Sequence, residues 1–292
     1  MKAYLDVVRE VLERGTRKPN RTGVDTISTF NHNYEVDLAN GFPLLTTKQI
    51  AWKNIVVENL WFLSGDTNLR LLQKHGCKFW DPWADERGEV PSAYGNFWRH
   101  FPVHEGDRAG FVDQVAWVIE ELGRNPMSRR LVISAWAPGN ALASKLPPCH
   151  CLYVLNVQND VDGEPRLCLH LTQRSCDVAL GVPYNLAGYA LLLELFSRFS
   201  GIRPGSFAHT LVDAHVYTSK PDGSMADHDH VPGLRVQLAR APRPLPRLVI
   251  DPSIRSLDDL GALLSASTED VLAAFRLEGY DPHPPIAFKV AV

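Results

Sequence analysis

Residues 152–173 read LYVLNVQNDVDGEPRLCLHLTQ, and this stretch decides the fold class. Leu152 to Gln158 is rich in β-formers. Arg166 to Gln173 sets Leu167, Leu169 and Leu171 against polar or smaller neighbours, the two-residue period of a strand with one buried face. Between them Asp160-Val161-Asp162-Gly163 is turn chemistry, so an antiparallel hairpin is expected. Outward from the hairpin, Leu131 to Trp136, Ser206 to Asp213, Leu234 to Leu238 and Arg247 to Ile250 read as further strands. Helical spacing appears at Tyr4, Val7, Val8, Val11 and Leu12, with Gly15 as the stop. It recurs from about Ile50 to Leu63, ending near Ser64-Gly65, and from about Asp113 to Gly123, with Val115, Val118, Ile119 and Leu122 on one face. Leu186 to Phe199 is apolar nearly all round, the pattern of a helix buried mid-domain. Strands in runs and grouped helices favour an α+β class over a doubly wound parallel sheet. A single domain over residues 1–292 is expected, its mostly antiparallel or mixed sheet packed with helices. Lys220 to His230 and Ser253 to Thr268 read as polar surface excursions.

Composition narrows the function classes. Thirty Lys and Arg against 33 Asp and Glu leave −3 over 292 residues, which is no basic footprint for nucleic acid. Hydrophobic residues at 45% suffice for a large core and exclude a disordered or low-complexity chain. No apolar run reaches the ~18 residues needed to span a bilayer. The N-terminal MKAYLDVVREVLERG mixes acids into its apolar positions and shows no small-residue cleavage site, so no signal peptide is expected. Five cysteines, an odd number in a long chain, suit a reduced compartment. A cytoplasmic globular protein with no membrane partner is expected.

Four clusters carry chemistry. In Pro147-Pro148-Cys149-His150-Cys151, two prolines rigidify the approach to Cys149 and remove backbone donors. A cysteine attacks only as a thiolate, which needs a nearby positive charge or donor; otherwise it is a small buried hydrophobe. The contiguous Cys-His-Cys lacks the paired spacing of a structural zinc site, so no metal is expected. Gln173-Arg174-Ser175-Cys176-Asp177, then Gly181, Pro183, Tyr184 and Asn185, offers a guanidinium, a hydroxyl and a carboxylate to an anionic polar ligand. Ser128-Arg129-Arg130 is a paired arginine of the kind most proteins leave solvated. Alternation puts Asp213, His215 and Tyr217 on one strand face.

Taken together, the chain resembles the thymidylate synthase family over almost its whole length. The matches run in family order: Arg21-Thr22-Gly23; Phe42-Pro43-Leu44-Leu45-Thr46-Thr47-Lys48; Glu58 with Leu60-Trp61-Phe62-Leu63; Trp80-Asp81 with Trp83-Ala84; Tyr94-Gly95. They continue through Ser128-Arg129-Arg130, Pro148-Cys149-His150, Gln173 to Asp177, Gly181-Val182-Pro183 with Asn185, His215 with Tyr217, and Glu278 to Pro284.

The resemblance implies methylation of dUMP at C5 to dTMP, with 5,10-methylenetetrahydrofolate supplying carbon and hydride and leaving as dihydrofolate. Cys149 would add to C6, which makes C5 enolate-like. Arg174 would favour the thiolate and hold the phosphate with Arg21, Arg129, Arg130 and Ser175. Cys176 belongs to the same substrate-binding run. Arg129 and Arg130 would come from the neighbouring subunit, implying a homodimer formed through the sheet face. Asn185 can accept from N3–H and donate to O4, which favours uracil over cytosine. The backbone N–H of Asp177 would hold O2, and His215 with Tyr217 the ribose 3′-hydroxyl. Tyr94 would sit near the C5 proton, and Glu58, raised in pKa by its apolar helix, would order water at O4. Trp80 and Trp83 would wall the pterin ring, Asp177 and Gly181 would contact it, and Tyr184 would line the folate side. The tail from Phe288 through Ala291 to Val292 would close over the ligands.

Departures stand beside the matches. Ser92-Ala93 precedes Tyr94, Ala137 follows Trp136, and Gly188 stands where a serine is common. Thr218-Ser219-Lys220 follows Tyr217, and Pro221 to Val231 lengthens the chain before Pro242-Arg243-Pro244. Such changes leave open a pyrimidine nucleotide hydroxymethylase, in which water replaces hydride, and Ser92 resembles those relatives. A non-catalytic binding module for nucleotide, folate or RNA is the third reading, opposed by the presence of Cys149, Glu58, Tyr94 and Arg174.

Overall fold

The alternation of Leu167, Leu169 and Leu171 becomes a strand whose leucines are all fully buried, paired through a tight turn to the strand before it. A computed structural model describes residues 1–105, 108–141 and 144–291. The chain begins with α1 (Lys2–Arg14), β1 (Thr16–Lys18) and β2 (Asp25–Asp37), then α2 (Trp52–Ser64), α3 (Arg70–Lys74) and α4 (Tyr94–Arg99). Next come β3 (Phe101–Glu105), β4 (Arg108–Val112), α5 (Gln114–Arg124), β5 (Val132–Ser134) and α6 (Pro138–Ala141). The hairpin is β6 (His150–Asn159) and β7 (Pro165–Gln173), followed by β8 (Cys176–Asp177), α7 (Gly181–Ser200) and β9 (Arg203–Thr218). The last elements are α8 (Val231–Leu238), β10 (Arg247–Ile250), α9 (Leu257–Leu264), α10 (Thr268–Ala274) and β11 (Phe275–Glu278).

The main sheet runs β1-β2-β9-β7-β6-β5, with β8 also on β9. Its neighbours are antiparallel except that β7 and β8 lie parallel to β9, so the class is α+β with a mixed sheet. Helix α7 packs against β7, β9, α2 and α5. Leu186, Leu191 and Leu193 on it are fully buried, each contributing about 1.5–3 kcal/mol. Gly95 lets α4 lie on α2, because a Cβ there would sit 2.4 Å from the Phe62 carbonyl oxygen. That close approach carries Tyr94 to the ends of the central strands.

Three expectations are corrected. Leu234 to Leu238 is helical, part of α8, because Pro232 pre-sets the first turn and Leu234 with Gln237, three apart, is what the core takes. The stretch Ser253 to Thr268 is not a mere surface excursion. Ser256 and Asp259 form a capping box that starts α9, which buries Leu260 and Leu264 and packs on α2. The long strand β2 stands where no strand is expected from the sequence, since polar residues fill TISTFNHNYEVD and only its first part is buried.

Candidate active site

One cavity of about 510 Å³ opens at the ends of β6, β7, β8 and β9, walled by α2, α4 and α7. Cys149 lies just before β6, and Arg174 just after β7. The His150–Gln173 pairing therefore puts them side by side, with the Arg174 N–H donating to the Cys149 carbonyl at 2.9 Å. The Arg174 guanidinium donates to the carbonyls of Pro148 (2.9 Å) and Pro147 (2.8 Å) and lies 5.4 Å over the Trp136 ring. The two prolines thus present acceptors that fix this cation beside the thiol. Burial pushes the Cys149 thiol up in pKa, while the charges of Arg174 and Arg21 and the Ser175 hydroxyl pull it down. Burial wins, so the resting group is a thiol and Arg174 limits the cost of ionising it.

Tyr94 holds the nucleophile's backbone. Its hydroxyl accepts from the N–H of Cys149 at 3.0 Å and of His150 at 3.4 Å, and its ring stacks 4.4 Å from His150. Burial raises the Tyr94 pKa well above the ordinary tyrosine value, so the group present is the neutral phenol. Burial also lowers His150 to about 4, leaving it uncharged at neutral pH. Across the cavity the Glu58 carboxyl accepts from Trp80 Nε1 at 2.7 Å. Burial pushes Glu58 up to about 7, the Trp80 hydrogen bond opposing the rise. Trp80 is itself mostly buried, packed against Trp61, Phe62 and Tyr94, so it presents only part of its ring to the cavity.

Asn185 is fixed by a residue to which the sequence reading gave no role. Gln173 Nε2 donates to Asn185 Oδ1 at 3.1 Å, while Gln173 Oε1 takes a hydrogen bond from His209 Nε2 at 2.9 Å. His209 Nδ1 then bonds the Tyr34 hydroxyl at 2.8 Å. Among the described residues no hydrogen bond engages the Asn185 Nδ2 hydrogens, while His150 stands beside the same amide. The signal for Gln173 was only its place in a quoted motif, since its partners lie 12 and 36 residues away.

On β9, Asp213, His215 and Tyr217 all line the cavity, as alternation demands. His215 Nδ1 donates to the Asp213 carbonyl at 3.1 Å, which leaves Nε2 as an acceptor. Burial raises Tyr217 to about 12, so it is a neutral donor. The Asp177 carboxylate accepts from the N–H groups of Ala179 (2.9 Å) and Leu180 (3.0 Å) at the entrance to α7. Arg21, Ser175, Gly181, Trp83 and Ala291 line the same space. Asn20 orders the Arg21 loop by accepting from the Thr22 N–H and donating to the Val24 carbonyl, an Asx turn readable in Asn-Arg-Thr-Gly.

Four expected residues are not on that lining. Arg129 and Arg130 are exposed and outside the cavity of their own chain. Cys176 is wholly buried, its thiol donating to the Gln173 carbonyl at 3.3 Å. Tyr184 packs edge-on against Phe79 at 5.0 Å, and it is Phe79 that reaches the cavity. The tail is described as far as Ala291; Val292 lies outside the described residues.

A half-buried cysteine beside a fixed guanidinium, a carboxyl raised to about 7 and an amide braced by Gln173 line one cavity, an arrangement suited to nucleophilic chemistry on a polar, anionic ligand. The thymidylate synthase family model matches residues 2–292, and the chain belongs to that family. Members are one-carbon transferases that act at C5 of dUMP with methylenetetrahydrofolate.

Proposed function

We propose that the protein converts dUMP to dTMP, with 5,10-methylenetetrahydrofolate giving both the methylene carbon and the hydride and leaving as dihydrofolate. The observation that carries this is the pairing of Cys149 with Arg174 across from Glu58 and Tyr94. In this reading Arg21, Arg174 and Ser175 hold the nucleotide phosphate, the guanidinium of Arg174 limits the cost of moving the Cys149 proton to water, and the thiolate sulfur bonds to C6 as the C5–C6 π electrons shift to C5. The anion formed at C5 then bonds the one-carbon unit. Tyr94, a neutral phenol, orients the water that takes the C5 proton rather than acting as phenolate. Glu58, near 7 in pKa, exchanges a proton with water at O4. Asn185 accepts from N3–H and donates to O4, and Gln173 keeps its amide in that sense. Trp80, Trp83 and Gly181 stand on the folate side, with Ala291 at its edge.

The hydroxymethylase alternative is kept open by the departures at Ser92, Ala137, Gly188 and Lys220. Of these, Ser92 lines a neighbouring cavity with Asp85, Glu89 and Lys145 rather than the one around Cys149, which counts for the synthase. One assay decides. The protein is incubated with methylenetetrahydrofolate and dUMP, or dCMP in its place, while dihydrofolate absorbance and nucleotide mass are followed. Methylated dUMP with stoichiometric dihydrofolate is expected, and no reaction of dCMP. Hydroxymethyl product without dihydrofolate would overturn the proposal.

We infer a homodimer through the open sheet face, where Leu152, Val154 and His170 are only half-buried, with Arg129 and Arg130 serving the partner's phosphate site. Mixing Cys149→Ala with an Arg129→Ala/Arg130→Ala double variant should then restore about a quarter of wild-type activity, because half of the random pairs hold one intact site. No restoration would reject shared sites. Among the described residues no helix is long and apolar enough to cross a membrane. A cytoplasmic setting remains part of the proposal.

A further inference from the structure

We propose that the lengthened segment 221–231 is a clasp for the C-terminal tail, and that Asp227 and His230 are positioning residues that hold Ala291 at the cavity before any ligand arrives. Pro221 to Val231 is the stretch by which the chain is lengthened in the sequence reading, and the catalytic reading gives it no task. His230 is anchored by its N–H to the Tyr217 carbonyl at 3.0 Å, at the end of β9, and its ring is buried. From there Nε2 donates to the Lys289 carbonyl at 2.8 Å. The Lys289 ammonium pairs with Asp227 Oδ2, while Asp227 Oδ1 bonds His228 Nδ1 at 2.9 Å.

The residue before Lys289 is seated from three sides. The Phe288 ring lies 5.0 Å from the His230 ring, and the Lys48 ammonium sits 4.5 Å over its face. Below it is Gly233, where a Cβ would come within 2.6 Å of Phe288 Cε1. Main chain, side-chain charge and ring are thus gripped at two successive residues, two positions before Ala291 lines the cavity. His230 also reaches toward the site itself, its Nδ1 lying 3.9 Å from the Asp177 carboxylate and, among the described residues, without a hydrogen-bond partner. A tail held in place this way loses less freedom when the ligand binds beneath it. The Asp227–Lys289 pair is exposed, so its share is small but separable from the rest.

The role in ligand binding rests on the folate reading above; the clasp itself does not. The test compares wild type, Asp227→Lys, Lys289→Asp and the charge-swapped double variant, all at surface positions. In the ligand-free protein, amide NMR order parameters over residues 286–291 should fall measurably below the rigid value of about 0.85 in each single variant, and recover in the swap. In turnover, half-saturation for methylenetetrahydrofolate should rise about two- to five-fold in each single variant, with that for dUMP unchanged and the swap restoring it. Unchanged order parameters, or a swap that fails to recover them, overturn the clasp. A loosened tail with unchanged folate half-saturation overturns the positioning role. A wild type that never turns over dUMP refutes the catalytic reading alone, because the order parameters still decide the clasp.

Discussion

Glu58 on α2 and Glu194 on α7 both have their carboxyls pushed up to about 7 by burial. Only Glu58 faces the cavity, where it accepts from the Trp80 indole beside Tyr94. Among the described residues, Glu194 has neither an ion pair nor a side-chain hydrogen bond. The same displacement therefore falls on a cavity-lining carboxyl with a fixed partner in one place and is an unrelieved cost in the other. A shifted pKa identifies a site only when geometry supplies a partner and a substrate path.

The largest expected effect anchors the catalytic side of that contrast. Cys149→Ala should lower turnover by about 10⁴-fold or more while dUMP binding, read by calorimetry, stays within a few-fold. Retained turnover would leave Glu58 without a reaction to serve. Next, Glu58→Gln should cost about 10²-fold in kcat and erase the limb near pH 7 from the kcat profile. A limb that persists would remove the distinction between the two glutamates.

Glu194→Gln should leave that limb in place and act on stability instead. Because its folded pKa is raised from 4.5 to about 7, the folded state binds the proton more tightly. Stability is therefore full below about 4.5 and declines as pH rises toward 7. The variant should flatten this decline by about 1–3 kcal/mol, allowing for partial exposure, in denaturant midpoints compared at pH 5 and 8. The smallest effect lies between the regions. A Cβ at Gly188, on the same helix as Glu194, would stand 3.0 Å from Asn59 Nδ2, next to Glu58. Gly188→Ala sets this tight contact against a helix-propensity gain of about 1 kcal/mol, so the melting temperature should move by a few degrees at most. A fall in kcat much larger than the stability change would show that the regions communicate.

What could be read in advance follows from the range of the forces involved. The hairpin and α7 were legible because periodicity and turn residues act within a dozen positions. Leu234 to Leu238 misled because Leu234, Val236 and Leu238 alternate, yet Val236 is half exposed and the proline ahead of them sets a helix. Strand β2 stayed hidden because β9 supplies its partner, some 180 residues on, and its outward residues are polar. Cys149, Arg174 and Asn185 came through motif resemblance. The bracing of Asn185 by Gln173, the carbonyl anchors of Arg174 and the hold of the lengthened segment on Lys289 depend on chain pairings that no local window contains.

The row of bonds from Tyr34 through His209 and Gln173 to Asn185 has a corollary for base choice. Gln173 grips one oxygen of the reading group and would hold a carboxylate oxygen equally well. An aspartate at position 185 would then turn its free oxygen to the amino group of cytosine with no repacking behind it. If Asn185 reads the base as proposed, a change of preference at position 185 needs no new partner behind it, only a proton shared between the carboxylate and N3 of cytosine.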